Sequence, residues 1–219
     1  MLLNLLANGQ VAVFVMIMIA IVLSLSFHEF GHAFSAKLYG DDTAQRLGRL
    51  TINPIPHIDP IGLLMFVLVG IGYAKPVPFD PRNFKSVWGI AGVALAGPLA
   101  NLIVAFVVIN FFSFAHGAGW AFTRNPDAQQ FLQLLVIINL ILMIFNLIPL
   151  GVLDGHHILP YFLPKTLAAK YRTLNAKYGM FALLGLLLVS YVQDKFGWTP
   201  ILSYITQPAG WIAAKLTVL

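Results

Sequence analysis

There is no cysteine among the 219 residues, and only eight are acidic. The first absence excludes disulfides and thiolate metal sites, so any metal must be held by His, Asp or Glu. The second goes with a charged fraction of only 10%, against 59% hydrophobic residues. A soluble domain carries about 25% charged and about 45–50% apolar residues. Such a composition cannot cover a water-facing surface, so lipid must cover much of the chain. A basic leader is missing too: Met1 to Gln10 holds no Lys or Arg before the apolar run begins, and no removable peptide is read there. Also missing is a dense basic block. The thirteen Lys and Arg are spread over loops, so the net charge of +5 reads as the positive-inside bias of a membrane protein and not as a nucleic-acid surface.

What is present is long apolar runs. A bilayer crossing needs about 20 residues, and the candidates run from about Val11 to Leu38, Val87 to Ala115 and Gln130 to Leu150, with a shorter fourth from Gly179 to Val192. Between the first two lies Ile61 to Tyr73, apolar but punctuated by Gly62, Gly70 and Gly72, and short enough to be re-entrant or interfacial. After Trp198, Pro200, Pro208 and Gly210 break the chain into an interfacial or re-entrant tail over 199–218. In the stretch Arg46 to Ile61, Leu50 and Ile52 alternate with Arg49, Thr51 and Asn53 before Pro54, Pro56 and Pro60 intervene. That pattern predicts a short strand or hairpin at the cytoplasmic edge, followed by a turn-rich loop. The expected fold is therefore an all-α polytopic membrane protein of about four transmembrane helices, with a re-entrant segment and a short β element. One domain spans 1–219, with a core over 10–160 and C-terminal helices over 175–219.

Charge separates two topologies. If Ile61–Tyr73 dips in and returns, then Lys37, Arg46, Arg49, Lys75, Arg82, Lys85, Lys165, Lys170, Arg172 and Lys177 share one side, against Arg124, Lys195 and Lys215. If it spans, the two sides come out nearly balanced. The positive-inside rule selects the first arrangement and makes the crowded side cytoplasmic.

Inside the first span stands Ser26-Phe27-His28-Glu29-Phe30-Gly31-His32-Ala33. Two histidines four apart on a helix share a face, so both imidazoles can address one metal, and the intervening glutamate is placed to take a proton from water. This is the H-E-x-x-H arrangement of zinc hydrolases. The alternative is a polar packing cluster, but ionisable groups within a lipid-length helix are costly when idle.

A catalytic zinc usually has a third protein ligand and an open position. Asp154 is the best-placed acid, just beyond the third span in Asn146-Leu147-Ile148-Pro149-Leu150-Gly151-Val152-Leu153-Asp154-Gly155-His156-His157. Its bland reading is a turn residue before glycine. Asp41, Asp42, Asp59 and Asp80 lie in polar loops, Asp127 is on the far side, and Asp194 follows the fourth span. His28 and His32 lie about 9–15 Å from the cytoplasmic end of their helix at about 1.5 Å per residue. Asp154 reaches that depth from the same side only in the re-entrant topology.

These motifs resemble the site-2 protease family of intramembrane zinc metalloproteases, which pairs H-E-x-x-H with an Asn-Pro…Asp-Gly motif at the end of a later span. His28, Glu29 and His32 match the first motif, and Asn146, Pro149, Asp154 and Gly155 the second. The run Ala96-Gly97-Pro98-Leu99-Ala100-Asn101 matches the Gly-Pro entrance of the middle helix, and Asn53 to Gly62 with Ala74 to Pro78 resembles the compact microbial branch, without a PDZ or CBS domain. The resemblance covers about residues 10–160. It implies one Zn²⁺ per chain held by His28, His32 and Asp154, with Glu29 as general base and Asn146 as a hydrogen-bond donor to substrate backbone or oxyanion. It implies a transmembrane protein or peptide substrate, cleaved in or near its membrane segment, in the plasma membrane of a prokaryote with the site nearer the cytoplasm. His57, His156 and His157 are expected in loop or supporting roles, and Arg49–Asn53 as an edge that an extended substrate could join.

Two other classes are weighed against this. A metal transporter would line successive spans with polar residues and often repeat itself, whereas the second span offers only Asn101 and Asn110 and no repeat is visible. A silent scaffold would have no use for Glu29 between the histidines.

Overall fold

A computed structural model describes residues 2–70 and 72–216. Every regular element among them is helical: α1 (Leu2–Ala7), α2 (Val11–Leu38), α3 (Thr43–Arg46), α4 (Pro60–Val69), α5 (Gly89–Gly117), α6 (Pro126–Asn146), α7 (Gly155–Ile158), α8 (Lys165–Lys195), α9 (Ile201–Thr206) and α10 (Pro208–Leu216), with short 3₁₀ turns between some of them. Four of these, α2, α5, α6 and α8, are long and apolar enough to cross a membrane. The first matches the expected bounds. The fourth starts fourteen residues earlier than its apolar stretch, because Lys165 to Tyr178 continues the same helix as a basic, water-compatible extension.

The bundle centre is α5, which packs against α2 and α6. Association between helices in lipid relies on close backbone approach rather than on apolar burial. Gly31 supplies that approach: a Cβ there would stand 2.5 Å from Ala96 O and 2.9 Å from Ala100 Cβ. A second core joins Ala105, Val136, Leu140, Met143 and Ala209, so the tail helix α10 seats against α5 and α6. The outward faces keep large apolar residues exposed, among them Phe106, Phe111, Phe114, Phe181 and Leu184, as lipid contact requires.

The expected strand is not there. Among the described residues no strand occurs, and 47–58 is turns, bends and irregular chain. Side chains win the local backbone groups: Asn53 N–H donates to Thr51 Oγ1, Ile55 N–H to Asn53 Oδ1, and the buried His57 Nε2 to Thr51 O. Gly48 turns the chain at φ 70. Alternation over five residues predicts a strand only where a partner strand exists, and none lies beside this one.

The segment between α2 and α5 begins and ends at the same place. Lys85 N–H donates to Tyr39 O at 2.9 Å. Asp41, fully buried, accepts from Thr43 N and Oγ1 and from Asn83 Nδ2 on one oxygen, and from Asp80 N on the other. Within this loop Asp59 caps α4 by accepting from Ile61 N and Gly62 N at 2.9 Å each, with Pro60 at the first helical position. Gly70 ends the helix at φ 79. The chain then returns extended, and Lys75 N–H donates to His57 O.

Burial alone would push the Asp41 carboxyl up, but the donors from Thr43, Asn83 and Asp80 outweigh it and hold its pKa below the usual range. The stabilisation is therefore complete above about pH 4 and is lost as the pH falls further, through the lowered pKa. Asp41→Ala should destabilise the protein by about 1–3 kcal/mol at neutral pH, since it leaves buried donors unmet. The melting gap between variant and parent should narrow in acid; a gap independent of pH would refute this account.

Candidate metal centre

Helix α2 carries His28 and His32 one turn apart, and both are buried. Their Nε2 atoms stand 3.0 Å from each other. The turn that follows α6 brings Asp154 to them, with Oδ2 at 3.2 Å from His28 Nε2 and Oδ1 at 3.4 Å from His32 Nε2. Three corners of a tetrahedron with Zn–N and Zn–O bonds of about 2.0–2.1 Å lie about 3.3 Å apart. The spacing is therefore that of three ligands around one small cation, and no other such cluster occurs among the described residues.

The proton inventory makes the same point independently. His28 Nδ1 lies 2.6 Å from Asn101 Oδ1, and the Asn101 orientation is fixed because its Nδ2 donates to Ser24 O and Asn139 Oδ1. Asn139 in turn donates to Ser24 Oγ and to Leu135 O. His32 Nδ1 lies 2.7 Å from Val93 O, which can only accept. In both rings the N–H is therefore on Nδ1, and each bare Nε2 lone pair faces a carboxylate. Asp154 Oδ2 is buried with no hydrogen-bond donor. With each Nδ1 given to an acceptor, the two Nε2 atoms and the Asp154 carboxylate form a group that could hold a metal ion, and two imidazoles with one carboxylate suit zinc. Space is kept open by Gly97, whose absent Cβ would strike His32 Nε2 and His28 Cε1.

Glu29, buried beside this cluster, accepts from Val77 N–H at 3.1 Å on Oε2. The ionisable groups that act on it are His28, Asp154 and Arg49. Val77 is itself buried against Ala33 and Ala44, and its position is held from outside the helices. Arg49, buried in the loop, donates through Nη1 to Pro76 O and through Nη2 to Lys75 O. Burial lowers the pKa of this guanidinium, and Glu29 works in the opposite direction.

The structure thus brings together His28, His32, Asp154 and Glu29. Asn146 points its amide back along α6, donating to Leu142 O. His57 is a loop support whose Nε2 is spent on Thr51 O, and burial lowers its pKa. His156 bonds Leu153 O and stacks on His157 with ring centroids 3.7 Å apart. Sequence reasoning missed three contributors. Asn139 and Ser24 were visible as polar residues inside apolar spans; Arg49 was read as a topogenic charge and as one end of an edge strand, and nothing local marked its bonds to Lys75 O and Pro76 O.

Comparison with known proteins fits this chemistry. Residues 115–188 match peptidase family M50. YwhC of Bacillus subtilis, named provisionally as a zinc metalloprotease, is 37% identical over 198 residues, covering 88% of this chain and 84% of YwhC. Rip2 of Mycolicibacterium smegmatis, named in the same provisional way, is 33% identical over 168 residues, covering 72% of this chain and 61% of Rip2. The zinc metalloprotease MJ0392 of Methanocaldococcus jannaschii is 28% identical over 152 residues, 69% of this chain and 34% of that protein. No solved structure gives a significant match. Fold and site together define a membrane zinc metalloprotease. The chain belongs to peptidase family M50, the site-2 protease family.

Gly97→Ala should leave the helical content intact and abolish stoichiometric zinc binding, measured by metal analysis of the purified protein. Normal zinc content in this variant would show that the ion sits elsewhere.

Proposed function

We propose that the protein is an intramembrane endopeptidase that hydrolyses peptide bonds in or near the transmembrane segments of other membrane proteins. The observation that carries this reading is the convergence of His28, His32 and Asp154 beside a buried glutamate, in a chain with helices long enough to span lipid. His28, His32 and Asp154 would hold one zinc. When bound, zinc would lower the pKa of a bound water to about 7 and polarise a carbonyl.

The chain's own residues do the rest. Val77 N–H occupies Glu29 Oε2 and leaves the other oxygen to take a proton from the attacking water. The water oxygen bonds to the peptide carbonyl carbon, the C–N bond breaks, and Glu29 returns its proton to the departing amine. Asn146 would donate to the substrate backbone or oxyanion after exchanging its present bond to Leu142 O. The surrounding helices exclude bulk water and raise the strength of each of these interactions.

The membrane arrangement is part of the same proposal. One domain makes four crossings, with the site nearer the cytoplasm of a prokaryotic cell. The ten basic residues on the side of Lys37 support that orientation, and bacterial and archaeal relatives support the prokaryotic setting. Helix α4 with its returning strand of chain would be a re-entrant hairpin. In support, all its residues are apolar apart from Gly62 and Pro60, Ile61, Leu64, Met65 and Leu68 are exposed, and it packs against α1 at the opposite end of α2.

The test is Glu29→Gln, assayed on a transmembrane substrate in proteoliposomes. Turnover should fall by about 10²–10⁴-fold, the usual worth of a general base, while zinc content stays at one per chain. Undiminished cleavage would remove Glu29 from the mechanism, and failure to cleave any membrane segment while soluble peptides are cut would overturn the substrate class.

A further inference from the structure

His28 and His32 are each oriented by an acceptor on Nδ1, but Asp154 has no such partner. Its Oδ2 is buried without a donor, and its two oxygens stand against the two imidazoles. The carboxylate therefore takes its place from the backbone of residues 147–154. That backbone makes turn bonds of its own, Leu150 N–H to Ile148 O and Leu153 N–H to Leu150 O, and α8 ties it down from outside. Gly151 N–H donates to Asn175 Oδ1 at 3.0 Å, and Asn175 Nδ2 donates to Gly151 O at 3.0 Å. One side-chain amide thus closes both bonds of a single residue, as a paired strand would. One turn earlier on α8, Tyr171 Oη donates to Pro149 O at 2.8 Å.

One turn later, Gly179 lets the two backbones touch: a Cβ there would collide with Asn175 Oδ1 and stand 3.0 Å from Gly151 Cα. Gly151 itself adopts φ 64, where a side chain would be strained. Tyr171, Asn175 and Gly179 follow one another at four-residue steps and form a single stripe along α8. This stripe lies outside every motif that marks the site.

We propose that Asn175 is a positioning residue for the third metal ligand, acting through Gly151 to hold Asp154 at the two histidines. The proposal rests on the reading that His28, His32 and Asp154 hold zinc. Groups that orient a metal ligand indirectly are typically worth about 10–100-fold in affinity. Asn175 does this through main chain, since no side chain donates to the buried Oδ2 of Asp154.

The experiment uses the full chain in detergent and zinc itself, titrated against a competing chelator. Asn175→Ala should weaken zinc binding by about 10–100-fold while the metal-free protein melts close to the parent. A merely structural asparagine would instead lower the melting of the metal-free and zinc-loaded forms alike and leave affinity unchanged, which would overturn the proposal. Should Asn175→Ala not fold, Tyr171→Phe removes one bond to the same turn and should still cost several-fold in affinity; parent-like binding there counts against the clamp. Asp154→Ala separates the two claims. Zinc bound normally by Asp154→Ala defeats the ligand assignment, whereas zinc lost by Asp154→Ala but kept by Asn175→Ala defeats only the role of Asn175. In the Asp154→Ala background, adding Asn175→Ala should have no further effect on residual affinity.

Discussion

Everything in this bundle answers to one electrostatic problem: two imidazole lone pairs and a carboxylate face each other inside a protein that lipid surrounds. Left alone, such a cluster repels itself, and burial removes the water that would relieve it. The fold resolves this by supplying each imidazole Nδ1 with an acceptor and setting the three other ligand atoms at the spacing that one small cation would bridge. Asn101 and Asn139 look like breaches in an apolar core, but every polar atom recorded for them has a partner.

The close crossing of α2 and α5 follows from the same requirement. Val93, Gly97 and Asn101 lie on one face of α5, and each meets a different part of the histidine pair: an acceptor, an open space and a second acceptor. Only a crossing as tight as Gly31 and Ala96 allow brings all three within reach. The loops then add what the helices cannot. Arg49 fixes the returning chain at Lys75 and Pro76, and through Val77 it reaches Glu29, so a charge in an irregular segment orients a carboxylate inside a span.

Much of this was legible in the residues alone, for identifiable reasons. The spans show in apolar length, which lipid dictates directly. His28, Glu29 and His32 show because helical periodicity places them together, and Asp154 because the chain must return to the same side. The strand near Leu50 failed because alternation is a local signal while a ladder needs a partner, and side chains from Thr51, Asn53 and His57 took the backbone groups first. The roles of Arg49 and Asn175 could not be read. Their work is done on main-chain atoms of segments 26 and 24 residues away, and main chain leaves no mark in sequence.

The donor set has a chemical consequence of its own. With nitrogen and oxygen ligands only, and no cysteine anywhere in the chain, nothing here can be oxidised to a disulfide or sulfenic acid. Peroxide or a shift in cellular glutathione, which strips thiolate sites of their metal, finds no target in this one. The same donors, however, offer copper a tighter hold than zinc by the Irving–Williams order. Selection of zinc over copper at such a donor set therefore depends on metal supply as well as on affinity.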